Sequence, residues 1–327
     1  MIVDFHNHFY PSAYLKACEA GDSKVVVERD AEGQLLIVHK GDYNIVVPGH
    51  YDPEARLADM DAAGVDLQIL TLTTPGVHIE ERSRGIELAR LVNDEFAELN
   101  GRYPSRFTAL AALPLQDPIA AAAELERSVT QLGLPGGTIF TNINGRTMDE
   151  AHFLPVLEKA VELDVPLFMH PTIPVHIDAL DAYRLVALIG FTQETTIAAS
   201  RMVFSGLFER LPQLKIVLSH LGGHLPFIAE RLALGHRVYP ECRTELSQSP
   251  LDTFKQFYMD TIPYAPQATQ VAIQFAGADK LLLGSDYPHQ IGDLTGSVNT
   301  IQEMTISEAN KAKILGENAR RLLRLEM

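Results

Sequence analysis

Cysteine is scarce: Cys18 and Cys242 are the only two in 327 residues, far apart and without C-x-x-C spacing. That argues against a disulfide framework or a thiolate metal site and suits a reducing cytoplasm. Long apolar runs are missing as well, none reaching the roughly 20 residues of a membrane-spanning helix. No run of Lys and Arg relieves a formal charge of −15, which opposes a nucleic-acid backbone and an anionic membrane surface. Internal repeats, low-complexity tracts and linkers are absent too. Met1-Ile2-Val3-Asp4-Phe5 leads straight into a motif, without the basic start, apolar stretch and cleavage site of a secretory signal. These absences predict a cytoplasmic protein acting on a small molecule, with no nucleic-acid or membrane partner. If that molecule is an anion, the global field repels it, and particular arginines would have to hold it.

What is present is material for a core: 46% hydrophobic and 21% charged residues, as in a soluble globular protein. Short apolar runs rich in Val, Ile, Leu and Phe recur at 2–6, 66–72, 107–113, 137–141, 166–170, 215–219, 256–260 and 280–285. Amphipathic stretches of helical length separate them, the rhythm of βα units. Strands apolar on both faces and joined by helical crossovers predict an α/β fold with a parallel sheet. Eight of them predict a closed (β/α)8 TIM barrel, one domain over residues 1–327. Asp52-Pro53 opens a helix that Gly64 closes, Asp117-Pro118 opens another, and Leu211-Pro212 ends a third.

Two segments fall outside the repeat. Residues 12–50 hold two β-prone runs, Lys24-Val25-Val26-Val27-Glu28 and Leu35-Leu36-Ile37-Val38, around a turn at Asp30-Ala31-Glu32-Gly33, which predicts a small antiparallel hairpin after strand one. Residues 176–210 read as extra helix after strand five. Both insertions follow strand C-termini, where barrel loops build and cover active sites.

The residues with chemistry to offer sit at the same ends. His6-Asn7-His8 closes the first run, and residues i and i+2 of a strand point the same way. His170 ends the fifth run, His220 follows the sixth and Asp286 the eighth. Each alone has an ordinary reading, a core histidine bonded to backbone or an Asp capping the next helix. Together at C-terminal strand ends they predict one site on one rim. A mixed imidazole and carboxylate set with an open position suits zinc best, an ion that brings the pKa of water near neutral.

This constellation resembles the amidohydrolase superfamily, with H-x-H after strand one, His after strands five and six, and Asp after strand eight. The Lys or Glu that many binuclear members carry on strand four has no counterpart in Gly137-Thr138-Ile139-Phe140-Thr141-Asn142, which implies a single divalent ion. Within the superfamily the chain is similar to the aminocarboxymuconate-semialdehyde decarboxylase family and its decarboxylase relatives. The matching blocks are Asp52-Pro53-Glu54-Ala55-Arg56 with Met60-Asp61 and Gly64-Val65, then Glu194-Thr195-Thr196-Ile197-Ala198. They continue in the glycine turn after His220 leading to Pro226-Phe227 and Arg231, and end in Leu283-Gly284-Ser285-Asp286-Tyr287-Pro288.

The resemblance implies His6, His8, His170 and Asp286 as metal ligands, His220 as the acid–base residue, and Arg56 and Arg231 as carboxylate binders. It also implies a homodimer in which Arg231 serves the neighbouring subunit's site. There are departures: Thr172 stands where the family has tryptophan, Leu221 interrupts the glycine run, and His224 and His289 add imidazoles near the mouth. The expected activity is non-oxidative decarboxylation of an unsaturated or aromatic carboxylate, favoured by the arginine pair in an acidic protein. Hydrolysis of an amide, lactone or carbon–carbon bond, with Asp286 or His220 moving the proton, uses the same residues, as does hydration of a double bond. A barrel that binds a ligand without catalysis is the alternative of another class.

Overall fold

Each apolar run contains a strand. The computed structural model describes residues 1–21, 23–39, 42–262 and 265–325. In chain order the strands are β1 (Val3–His8), β2 (Val26–Arg29), β3 (Leu35–His39), β4 (Asp42–Val46), β5 (Leu67–Thr71), β6 (Phe107–Ala109), β7 (Ala111–Ala112) and β8 (Gly137–Phe140). They continue with β9 (Asn142–Ile143), β10 (Arg146–Thr147), β11 (Leu167–His170), β12 (Ile216–Leu218), β13 (Tyr258–Asp260), β14 (Leu281–Leu282) and β15 (Gly284–Tyr287).

Two parallel sheets form the centre of this α/β fold, in the orders β15-β1-β5-β6 and β14-β13-β12-β11-β8-β7. Their edges follow one another in the chain: only Leu110 separates β6 from β7, and only Leu283 separates β14 from β15. Side chains from both sheets, among them Phe5, Ile69, Phe168, Val217 and Leu282, share one apolar cluster with Leu322 and Leu323 of the C-terminal helix. Burying a side chain such as Phe5 or Phe168 contributes about 1.5–3 kcal/mol.

The helix signals act locally as their chemistry dictates. Asp52 accepts the Glu54 N–H, Pro53 takes the first turn, and Gly64 closes helix Pro53–Ala63 at φ +69°. Asp117 caps helix Pro118–Thr130 through the Ala120 N–H, and helix Leu207–Arg210 stops at Leu211.

The insertions differ in detail from expectation. Residues 12–50 hold helix Ser12–Glu19 and a three-stranded antiparallel sheet, β2-β3-β4, one strand more than a hairpin. β4 pairs with β3 through a register that the two runs read from sequence leave unused. In 176–210 the helical part begins only at Val186, as a π-helical turn leading into helix Phe191–Phe204. Tyr183 and Arg184 both hold positive φ, which no continuing right-handed helix accommodates.

Candidate active site

At the C-terminal ends of the central strands, imidazoles and a carboxylate close the floor of a cavity of about 760 Å³. His6 and His8 come from β1, His170 from β11, Asp286 from β15, and His220 from the turn after β12. One donor atom each from His6, His170, His220 and Asp286 lies within 4.8 Å of the others, and His8, Asp286 and His289 form a second such group. Asp286 belongs to both groups.

The outward nitrogens of three rings are engaged. His6 Nδ1 lies 2.6 Å from Asp260 Oδ2, His170 Nδ1 lies 2.8 Å from the Pro171 carbonyl, and His8 Nδ1 lies 3.2 Å from Thr71 Oγ1. Thr71 donates its own proton to the Asn7 carbonyl at 2.6 Å, so its oxygen accepts from His8. Each Nδ1 therefore carries a proton, and in the neutral ring each Nε2 presents a lone pair inward. Those lone pairs crowd: His6 Nε2 is 3.0 Å from His8 Nε2, and His8 Nε2 is 2.9 Å from Asp286 Oδ1. Acceptors facing acceptors at these distances, fully buried, form a donor set made for a cation, and the residues fit a divalent ion.

The electrostatics follow from burial. Desolvation drives His8 and His170 well below the ordinary imidazole pKa, and neighbouring imidazoles add to it. Burial opposes charge on His6 too, yet the hydrogen bond and charge of Asp260, with Asp286 and Asp4, lift its pKa. His220 is lowered, mainly by burial, and its Nδ1 has no hydrogen-bond partner among the described residues.

Asp260 is the functional residue that the sequence reading passed over. Fully buried, it accepts from His6 Nδ1 and from the backbone N–H groups of His220 (2.8 Å), Leu221 (2.9 Å) and Ile262 (3.1 Å). It thus orients one ring and pins the turn that carries another. The signal was available, since Asp260 ends the seventh run as His170 ends the fifth. In that pinned turn His220 and Leu221 both hold positive φ, so Leu221 adopts a conformation that glycine would take more cheaply. Gly223 is obligatory at φ +63°, because a Cβ there would lie 2.1 Å from the Thr192 carbonyl oxygen.

The arginines expected at the substrate fare differently from the histidines. Arg56 is fully buried beneath the rim and does not line the cavity. Its Nε and Nη2 donate to Gly49 O (3.0 and 2.8 Å), and Nη1 to Asn7 Oδ1 and Gln68 Oε1 (both 2.8 Å). Nη2 also donates to His8 O. All five N–H groups are engaged by protein acceptors, so the structure gives Arg56 a place beneath the cavity and not on its wall. Burial pulls its pKa down to about 10, still leaving it charged at neutral pH. Arg231 lies exposed on helix Leu225–Val238 and does not line the cavity of its own chain.

The extra imidazoles have definite places. His224 is the N-cap residue of that same helix, its Nε2 lying 3.3 Å from Thr192 Oγ1. His289 packs 4.5 Å from the His8 ring, lines the cavity, and is linked to His50 (3.3 Å) and Thr73 (3.2 Å). The Val47 N–H donates to His50 Nδ1, so His50 donates through Nε2 to His289 Nδ1, and His289 Nε2 donates to Thr73. Burial pushes His289 down to about 4. Thr172 is buried on the loop after β11, its N–H on Thr141 Oγ1.

The chain is similar to known proteins. The Amidohydrolase family matches residues 3–325. A 2-amino-3-carboxymuconate-6-semialdehyde decarboxylase of Dictyostelium discoideum is 30% identical, over 99% of this chain and 92% of its own. A gamma-resorcylate decarboxylase of Rhizobium radiobacter is 36% identical, over 86% of this chain and 92% of its own. Among solved structures, a dihydroxybenzoic acid decarboxylase of Polaromonas sp. JS666, with bound manganese and the inhibitor 2-nitroresorcinol, superimposes with a TM-score of 0.82. It is 30% identical and covers 99% of this chain and 97% of that one. With a match that spans nearly every residue and a rim of converging donors at the strand ends, the chain belongs to the amidohydrolase family.

Proposed function

We propose that this protein is a metal-dependent, non-oxidative decarboxylase of an aromatic carboxylate, and that His6, His8, His170 and Asp286 hold one divalent ion. The observation that carries the reading is the crowding of His6 Nε2, His8 Nε2 and an Asp286 oxygen, with a donor atom of His170 within 4.8 Å of those of His6 and Asp286 and each ring fixed from behind. The family and its decarboxylase members give the reaction class. Imidazole-rich donors favour zinc, while the Polaromonas relative holds manganese, so both ions belong in the assay.

When bound, the ion supplies Lewis-acid polarisation of a substrate oxygen. His220 delivers a proton to the ring carbon that bears the carboxylate. The carbon–carbon bond then breaks, its electrons return to the ring, carbon dioxide leaves, and His220 regains a proton from solvent. His220 suits that task because its Nδ1 is unanchored, whereas the other three rings are tied to one tautomer. The cavity's apolar wall, with Phe191, Leu188 and Ile262, excludes water and accepts an aromatic face.

We infer further that the two parallel sheets are halves of one (β/α)8 barrel, closed through Leu110 and Leu283 and forming a single domain over residues 1–327, with 12–50 and 176–210 as insertions at its mouth. Shared packing of both sheets in one cluster supports closure. The helix bearing Arg231 also exposes Phe227 (86%) four residues earlier, the kind of apolar and cationic face that a two-fold homodimer would bury. In that dimer Arg231 serves the partner's cavity. Mixing Arg231→Ala with His220→Ala under subunit exchange then restores part of the activity; no recovery despite proven exchange overturns the shared site.

The test of the activity is a panel of hydroxybenzoates and muconate-like acids, gamma-resorcylate included, assayed for released carbon dioxide. Release from an aromatic acid is expected. Hydrolysis of amides or lactones without any carbon dioxide would replace this reading with the hydrolase.

A further inference from the structure

Of the imidazoles at the rim, His289 is one that the proposed chemistry leaves unused. Both its nitrogens are engaged, Nδ1 with His50 Nε2 at 3.3 Å and Nε2 with Thr73 Oγ1 at 3.2 Å, so it offers no lone pair to an ion beside His8 and Asp286. It is a link in a chain. The Val47 N–H meets His50 Nδ1 at 3.1 Å and can only donate, so His50 is neutral and carries its proton on Nε2. That proton goes to His289 Nδ1, which leaves the His289 proton on Nε2, aimed at Thr73 Oγ1. Every link runs one way, set by a backbone amide two rings from the hydroxyl.

The consequence falls on Thr73. A hydroxyl left to itself donates or accepts as its neighbour requires, but this one already accepts from His289, and among the described residues its own proton has no acceptor. Thr73 is buried and lines the cavity with Asp286 and His289. A buried donor without an acceptor costs free energy, and an acceptor held in the cavity relieves that cost. The residue is also held firmly: its carbonyl accepts from the Gly76 N–H at 3.0 Å, and the next carbonyl, of Thr74, accepts from Tyr10 Oη at 3.0 Å and Asn44 Nδ2 at 3.1 Å. Thr73 and His289 follow β5 and β15, the two neighbours of β1, whereas Leu188 and Phe191 come from the insertion after β11. The cavity thus offers a ring face its apolar side and a ring substituent one oriented donor.

Resting on the decarboxylase reading for the aromatic acid itself, we propose that Thr73 is a specificity-determining residue whose hydroxyl donates to an acceptor on the substrate ring, such as an ether or phenolate oxygen. His50 and His289 are the positioning residues that keep it a donor.

The test measures equilibrium binding of substituted benzoates to the zinc-reconstituted protein by calorimetry, which needs no turnover. Methoxy and ethyl groups have nearly the same shape, but only methoxy accepts a hydrogen bond, so the two are compared at each ring position. At one position or more, wild type is expected to favour the methoxy acid by about three- to tenfold, the effect of one neutral hydrogen bond. Thr73→Val should bring that ratio to unity and Thr73→Ser should keep it, with melting temperature reporting that each variant is folded. His289→Phe frees Thr73 to accept as well, so discrimination against an amino group at the same position, chiefly a donor, should shrink. Proton–nitrogen correlation spectra of the zinc-loaded protein should show His50 and His289 both protonated at Nε2. Equal affinity for methoxy and ethyl acids at every position overturns the proposal even if no variant folds, as does wild type that binds no benzoate. So does a preference that survives Thr73→Val, discrimination unmoved by His289→Phe, or a His289 protonated at Nδ1. A protein whose preference depends on Thr73 yet releases no carbon dioxide from any aromatic acid keeps this inference and loses the decarboxylase.

Discussion

The floor and the roof of the cavity are built on different principles. On the floor the three rings of the proposed ligand set are each fixed from behind, by Asp260 at His6, Thr71 at His8 and the Pro171 carbonyl at His170, with Arg56 beneath Asn7 and the His8 carbonyl; only the His220 ring is left unanchored among them. The roof comes from insertions, where Arg184 is clamped to Tyr43 through a backbone carbonyl and a ring face. Buried, mutually oriented groups serve chemistry that demands fixed geometry, whereas side chains on loops serve choice of ligand. Arg56 shows why residue type alone misleads: all five of its N–H groups are taken up by the scaffold beneath the rim.

The comparison can be broken by substitutions that treat the two regions alike. On the floor, His220→Ala should retain metal by elemental analysis while carbon dioxide release falls by about 10²–10⁴; loss of the ion instead would make His220 a ligand. Next in size, Arg56→Met leaves Gly49 O, Asn7 Oδ1, Gln68 Oε1 and His8 O without their donor. Urea unfolding should then register a loss of about 3–5 kcal/mol. A fully stable Arg56→Met that simply binds carboxylates worse would return Arg56 to the substrate.

Asp260→Asn sharpens the account of the floor. With the carboxylate behind His6 removed, metal affinity measured against a competing chelator should weaken by about 10- to 100-fold. Unchanged affinity would reduce Asp260 to a turn anchor. The smallest effect concerns Cys18, only 3% exposed, whose thiol burial pushes up to about 11. At pH 8 that thiol is protonated and covered, so native protein should leave Cys18 unmodified by a thiol reagent that labels it after unfolding. Rapid native labelling at Cys18, located by peptide mapping, would show the first insertion to be loosely packed.

The floor was legible in the sequence because strands write their registers locally: apolar runs mark them, and polar residues at their ends mark the rim. His6, His8, His170, His220 and Asp286 are all found that way, and Asp260 could have been. Arg56 was not, because its fate is decided by carbonyls of Gly49 and His8 that reach it only through tertiary packing. The roof was less legible still. β4, Asp42-Tyr43-Asn44-Ile45-Val46, alternates over only four residues, and the late start of the second insertion's helix depends on two positive-φ residues that no periodicity announces. The contact of Arg184 with Tyr43, 141 positions away, is likewise made only by the fold.

The most direct test of the central claim, a one-ion floor that supports decarboxylation, is to titrate chelated protein with manganese or zinc and measure carbon dioxide released from gamma-resorcylate or the best acid of the panel. The account predicts no release from chelated protein and activity that rises linearly to a plateau at about one ion per chain. Full activity without metal, or a plateau at two ions per chain, would contradict it.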